Sequence, residues 1–435
     1  MQQSEPNCHD AQIHGLNRQL KPCKTQCRSR QALAWKCGIR IERKQMLTNE
    51  IYLEKEPTFD FDILAPKERI IFFDIETTGL KADYAMIYLI GAVYFEDGRW
   101  KLTQYFAEGT QEETKVLAAF FGLIQERRRL GRLFLISFNG DGFDIPFIMN
   151  RVRLHRLNFD LSSTFSLDLY KHIKPYKKLA GLENCKLKTV EKLCGIYRED
   201  RYGGGELIDV YWEYLRLSGL DEDSCEYNEQ NLKLRDVIFK TLLLHNAEDI
   251  MDMPFVMDIL GYDSLFAEEA YEVTESVIAD GVWNIEARLR TPLPKGIYSE
   301  DENMTVSISE EEKFRLNIAV NVYEGELKSF YADYKSYYYL PGEDYAIHKS
   351  LGEFVDKKQR RQATAKTCYQ RVEGVFIPEP EPVFAPVFYK EYKQQPGYGR
   401  VDAANEDIFS TIDNKVNVDF AQTKKYIKAV LSSLK

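Results

Sequence analysis

The sequence predicts a mixed α/β domain over residues 68–262, followed by a second α+β or mostly β domain over 264–435. Three observations predict it. Strand-like apolar runs come first in succession, then alternate with helical periods as far as Leu157. From about residue 263 the period changes to short aromatic stretches separated by Pro, Gly and acidic clusters. At 435 residues the chain is long enough for two ordinary cores.

Each element has its own signal. Residues 1–45 carry nine Lys/Arg and three Asp/Glu with no hydrophobic period. They read either as a disordered basic leader or as sequence upstream of a true start at Met46. Residues 46–67 are a lead-in that runs quickly into a strand. Arg69–Ile75 is a nearly continuous apolar run that carries Asp74 at its end, the pattern of a buried strand. Met86–Phe95 and Trp100–Phe106 read as two further strands joined by the turn Glu96-Asp97-Gly98-Arg99. Gln111–Leu130 has a helical period. Leu133–Phe138 is another buried strand, broken by Asn139-Gly140-Asp141-Gly142, and Ile145–Leu157 is an amphipathic helix. Between 158 and 230 the chain is polar, with helical pieces at Leu187–Cys194 and Leu207–Leu217. Gly203-Gly204-Gly205 follows no strand, so it reads as a flexible turn and not a phosphate loop. Asn231–Leu260 is a long helical pattern.

Composition narrows the function classes. A net charge of −10 argues against a protein that coats nucleic acid through bulk charge, but leaves a nucleic-acid enzyme open. No run of about 18 apolar residues is present and the N-terminus lacks a secretory signal, so a cytoplasmic, non-membrane protein is expected. Of the eight cysteines, Cys8, Cys23, Cys27 and Cys37 crowd near His9 and His14, but their spacing matches no tight zinc knuckle. Cys185, Cys194, Cys225 and Cys368 read as reduced thiols.

Three motifs carry chemistry. In Asp74-Ile75-Glu76-Thr77-Thr78-Gly79-Leu80 the two acids are two apart on a strand and present their carboxylates to one face. Two acids closing an apolar strand call for a cation between them, because burying unpaired charge is costly. Gly79 lets a nucleotide or backbone come close. In Asn139-Gly140-Asp141-Gly142-Phe143-Asp144 an acid opens a helix, where capping alone is a sufficient role, and Phe143 is placed to wedge against a base or to pack. In His245-Asn246-Ala247-Glu248-Asp249 the His and the final Asp lie one helical turn apart on one face.

In this order the three motifs resemble the DEDD superfamily of 3′–5′ exonucleases. More closely, residues 68–262 look like the bacterial RNase H-like, predicted-exonuclease (YprB-like) family, related to the proofreading domains of family B DNA polymerases. The resemblance implies a mixed five-stranded RNase H-like sheet flanked by helices. It implies that Asp74, Glu76, Asp144 and Asp249 hold two divalent cations, Mg²⁺ or Mn²⁺. His245 stands where the family places its His or Tyr, and at the four-residue spacing of the Tyr branch. It therefore acts either as a general base or only as a group that orients water. Thr77, Gly79, Leu80, Asn139, Phe143 and Arg151 are the expected substrate contacts. The expected substrate is the 3′ end of single-stranded DNA or RNA.

Basic clusters at Arg127–Arg129 with Arg132, at Arg151, Arg153 and Arg156, and at Lys171, Lys174, Lys177 and Lys178 are candidate phosphate contacts or solvated helix faces. The Tyr/Lys-rich stretch 328–341 suits either stacking on bases or packing at a core. Two other readings stand beside the exonuclease: a catalytically silent nucleic-acid-binding or scaffolding protein, and an RNase H-like endonuclease.

Overall fold

A computed structural model describes residues 46–198, 204–219, 228–267, 269–401, 409–412 and 415–435. The readings for 1–45, including its cysteines, and those for Gly203 and Cys225, lie outside the described residues.

The first half is built on a six-stranded mixed sheet. Its strands are β1 Leu47–Tyr52, β2 Ile70–Thr77, β3 Ile87–Glu96, β4 Arg99–Phe106, β5 Phe134–Ser137 and β6 Phe165–Asp168, in the order β1-β4-β3-β2-β5-β6. The expected five strands are joined by the lead-in strand β1, which pairs antiparallel with β4. β2 runs antiparallel to β3 and parallel to β5, and β5 runs parallel to β6. The β3–β4 turn has Asp97 at φ 48° and Gly98 at φ 79°. Two left-handed residues in succession give the tight hairpin whose twist matches its strands.

β2 is covered on both faces, which explains its unbroken apolar text. Ile71, Phe73 and Ile75 pack with Phe120, Phe121 and Leu242 on one side. Ile70 and Phe72 pack with Phe61, Trp100, Leu169 and Ile250 on the other. Each such side chain, fully buried, contributes roughly 1.5–3 kcal/mol. Asp74 and Glu76 continue the Ile70–Phe72 face beyond the end of this packing. The expected helices are present at Glu113–Arg128, Asp144–Leu154, Leu187–Leu193 and Gly204–Ser218. Gly204 and Gly205 open the last of these, so they belong to a helix rather than to the flexible turn expected there. The long pattern after Asn231 is one helix, Glu229–Met251, and short turns then begin at Met253. Pro254 supplies the break, since it has no N–H for the ladder.

The second half is mostly β. Tyr271–Ala279 (β7), Val282–Leu289 (β8), Ile297–Glu300 (β9), Met304–Ile308 (β10), Arg315–Asn321 (β11), Phe409–Ile412 (β19) and Lys415–Val418 (β20) form one sheet. Tyr323–Phe330 (β12), Tyr369–Glu379 (β16), Phe388–Tyr389 (β17) and Gly397–Arg400 (β18) close a small barrel. Between β12 and β16 the chain forms a three-stranded sheet of Tyr337–Leu340 (β13), Tyr345–His348 (β14) and Arg361–Gln362 (β15). The closing helix Phe420–Ser433 packs Tyr426 against Trp283, and the core it joins runs without interruption to Ile250 and Phe72. Among the described residues no helix is long and apolar enough to cross a membrane.

Candidate active site

The acids of the three motifs come from β2, from the start of the Asp144–Leu154 helix and from the end of the Glu229–Met251 helix. One ligand atom each from Glu76, His245 and Asp249 lies within 4.8 Å of the other two. His245 is buried, with Nε2 3.7 Å from Glu76 Oε1 and 3.4 Å from Asp249 Oδ2. Asp144 is not a side-chain cap; its Oδ1 instead accepts the backbone N–H of Ile75 at 3.1 Å, locking the helix start to β2. Gly140 lets the loop before this helix close on the end of β5, since a Cβ there would lie 2.1 Å from Ser137 Oγ.

Electrostatics tie Asp74 and Asp144 to the same group. Burial, followed by Asp144, Glu76 and Asp249, pushes Asp74 well above the ordinary carboxyl range. Burial, with Asp168 and Asp249 adding to it, pushes Asp144 up to about 7, against the pull of the Ile75 N–H. Acids crowded in this way resist simultaneous ionisation unless a cation offsets them. The donor set of carboxylate oxygens with one imidazole fits a hard divalent ion of the Mg²⁺ or Mn²⁺ type.

Supporting residues to which the sequence assigned no role hold this arrangement. Asn246 Nδ2 donates to Asp74 Oδ2 at 3.0 Å. Gln104 Nε2 donates to Asn246 Oδ1 at 2.9 Å and to the Leu243 carbonyl at 2.8 Å, and Asn49 Nδ2 donates to Gln104 Oε1 at 2.9 Å. Gln104 and Asn246 are wholly buried. The helix reaches the sheet here because position 91 is glycine: a Cβ would meet Asn246 Oδ1 at 2.3 Å. Asp168, buried at the end of β6, accepts the N–H of Asn139 at 2.7 Å and of Asp141 at 3.3 Å. The sequence signal for Asn246 was its place inside the His245–Asp249 motif. Gln104 and Asp168 had none, because their partners lie far along the chain. Arg198 binds both oxygens of the buried Glu191 and also Asp249. Burial works against its charge, but the two acids outweigh it and raise its pKa above the ordinary arginine value.

The expected substrate contacts divide. Thr77 Oγ1 donates to the Gly79 carbonyl at 2.9 Å, and Leu80 is 81% exposed beyond it. Asn139 sits at φ 68°, and Phe143 is half-buried against Phe147 with ring centres 5.4 Å apart. Arg151 is committed inside the fold: Nε and Nη2 bind Glu113 at 2.7 and 2.5 Å, and Nη1 binds the Ala82 carbonyl. Arg127 is likewise buried, bonded to Glu96 and the Phe95 carbonyl, so it is not part of a solvated basic face. Arg132 lies over the Phe165 ring, and Lys171 pairs with Asp141. In the Tyr/Lys stretch Tyr331 stacks on Tyr337, Lys328 covers Tyr369, and Tyr339 packs against a small core of Ala346, Ala363 and Cys368. These contacts favour packing over base stacking.

No curated protein matches the chain. The profile of RNase_H_2, a family of the RNase H superfamily, matches residues 71–261. That match and the order of the sheet agree: this part of the chain has an RNase H-like fold and is similar to a superfamily whose members are in general metal-using nucleases that bind nucleic acid.

Proposed function

We propose that residues 68–262 are a 3′–5′ exonuclease that hydrolyses single-stranded DNA or RNA from the 3′ end and releases nucleoside 5′-monophosphates. Residues 264–435 are read as a second domain. The observation that supports this reading is the cluster of Glu76, His245 and Asp249, with Asp74 and Asp144 near enough to it for the acids to raise one another's pKa. The four acids would hold two Mg²⁺ or Mn²⁺ ions, which when bound supply activated water and charge relief at the leaving oxygen. The chain's own groups do the rest. His245 stands against two of the acids, where it orients a water or takes its proton. Asn246 and Gln104 fix the carboxyl of Asp74, and Asp168 shapes the loop that leads to Asp144. Leu80, exposed just beyond the acids, would bear on the terminal nucleotide.

The test is digestion of 5′-labelled single-stranded DNA and RNA with Mg²⁺ or Mn²⁺. A ladder shortening from the 3′ end is expected, lost in Asp74→Ala although that variant folds, because removing one acid relieves repulsion. His245→Ala should slow the reaction less. Normal digestion by Asp74→Ala overturns the site assignment. Strand binding without cleavage by the unaltered chain turns the reading to a silent nucleic-acid-binding protein.

A further inference from the structure

Arg198 follows the Leu187–Leu193 helix, and only 4% of its side chain meets solvent. Its Nε and Nη2 take the two oxygens of Glu191, which is itself 1% exposed, in a forked pair. Its remaining arm, Nη1, reaches Asp249 Oδ1, while Asp249 Oδ2 faces His245. Glu191 alone would satisfy the need of a buried guanidinium for a counter-charge. The third bond therefore has a different consequence: it fastens a permanent positive charge to one oxygen of an acid in the proposed ligand set.

We propose that Arg198, anchored by Glu191, is a positioning residue of the metal site: it aims the Asp249 carboxylate and competes with the divalent ion for it. This rests on the reading of the acids as metal ligands. A guanidinium and an ion cannot both draw fully on one carboxylate, and two positive charges a few ångströms apart repel strongly at low dielectric. Metal uptake at this corner then proceeds by exchange. The ion draws Asp249 away, while the fork to Glu191 keeps Arg198 at hand. The domain so built fills its Asp249 corner only above a threshold of free metal.

The test is Mn²⁺ binding to the full chain, read from the electron paramagnetic resonance signal of free Mn²⁺. Arg198→Gln is expected to bind Mn²⁺ tighter by roughly tenfold or more. Glu191→Gln, which leaves the cation in place and removes a negative charge, is expected to bind it more weakly. A pair with only a structural role would loosen the site in both variants, so weaker or unchanged binding by a folded Arg198→Gln overturns the inference. Should that variant not fold, the Arg198 side-chain N–H signal in ¹⁵N-NMR of the unaltered chain decides. A shift that follows Mg²⁺ saturation supports the exchange, and a signal that ignores saturating Mg²⁺ overturns it. Absence of Mn²⁺ binding in the unaltered chain, or binding indifferent to Asp74→Ala, instead sinks the reading of the acids as a metal site, and this inference with it.

Discussion

Asn246 shows how much of the site depends on single atoms. Its amide spans the gap between Gln104 and Asp74, and it fits only because Gly91 has no side chain. Groups that orient a metal ligand are worth about 10–100-fold in activity or metal affinity when removed. Asn246→Ala is therefore expected to lower kcat by about that factor while the melting temperature changes little, checked by turnover on a labelled strand and by a thermal scan. Gly91→Ala should lower kcat as well and, unlike Asn246→Ala, lower the melting temperature with it, because the new methyl displaces the amide on which the helix meets the sheet. A variant of either kind with unaltered turnover would remove Asn246 from the site. At this scale the acids were legible, since carboxylates closing an apolar strand contradict their surroundings. Their supports were not. A buried Gln in β4 reads like any half-exposed strand residue until the helix packed on it is known.

Glu113 plays the corresponding part among elements. It opens the Glu113–Arg128 helix and accepts from the Ile87 N–H at 2.8 Å, from Arg151 on the Asp144–Leu154 helix, and from His155 at 2.6 Å. Burial pushes its carboxyl upward, but these partners outweigh burial and hold it below the ordinary value. Breaking one partner of a buried ion pair costs about 3–5 kcal/mol. Glu113→Ala and Arg151→Ala should each lose stability of that order in urea, with KM for a single strand unchanged in whichever remains folded. A raised KM at unaltered stability would return Arg151 to the substrate. The elements themselves were largely legible from period and turn chemistry: β2 to β5 and the helices around them fall within a few residues of their expected bounds. The strand β6 was not. It has four residues, three of them partly or fully exposed, and too few alternations to stand out from the polar stretch around it.

Across the whole molecule, Glu379 lies where the barrel meets the seven-stranded sheet and the closing helix. Beside it Tyr426 donates to the Pro378 carbonyl at 2.6 Å. Glu379 Oε1 accepts from the N–H groups of Val383 and Phe384, and Oε2 has no hydrogen-bond partner among the described residues. Burial pushes this carboxyl up to about 7 although both N–H groups pull it down. The folded chain thus holds its proton more tightly than the unfolded chain does. The contribution to stability is whole below the ordinary glutamate value and is lost as pH rises to about 7. Glu379→Gln keeps the acceptor without the charge, so at pH 8 it should be more stable than the unaltered chain by roughly 1–3 kcal/mol, and at pH 4 nearly equal to it. Urea melts at the two pH values decide, and an equal difference at both would assign the effect to packing. This joint was beyond the sequence. The change of period near residue 263 marks where the text changes, whereas the core passes through that point unbroken.

The line of amides from Asn49 through Gln104 and Asn246 to Asp74 is electrically neutral as far as its last member. Amides take up no proton over the range in which carboxylates do, and they gather no ion atmosphere that salt can screen. The groups that aim Asp74 therefore neither titrate nor answer to salt themselves. Changes of buffer would reach its aim only through its own ionisation, since the Asn246 donor holds the charged carboxylate more strongly than the neutral carboxyl.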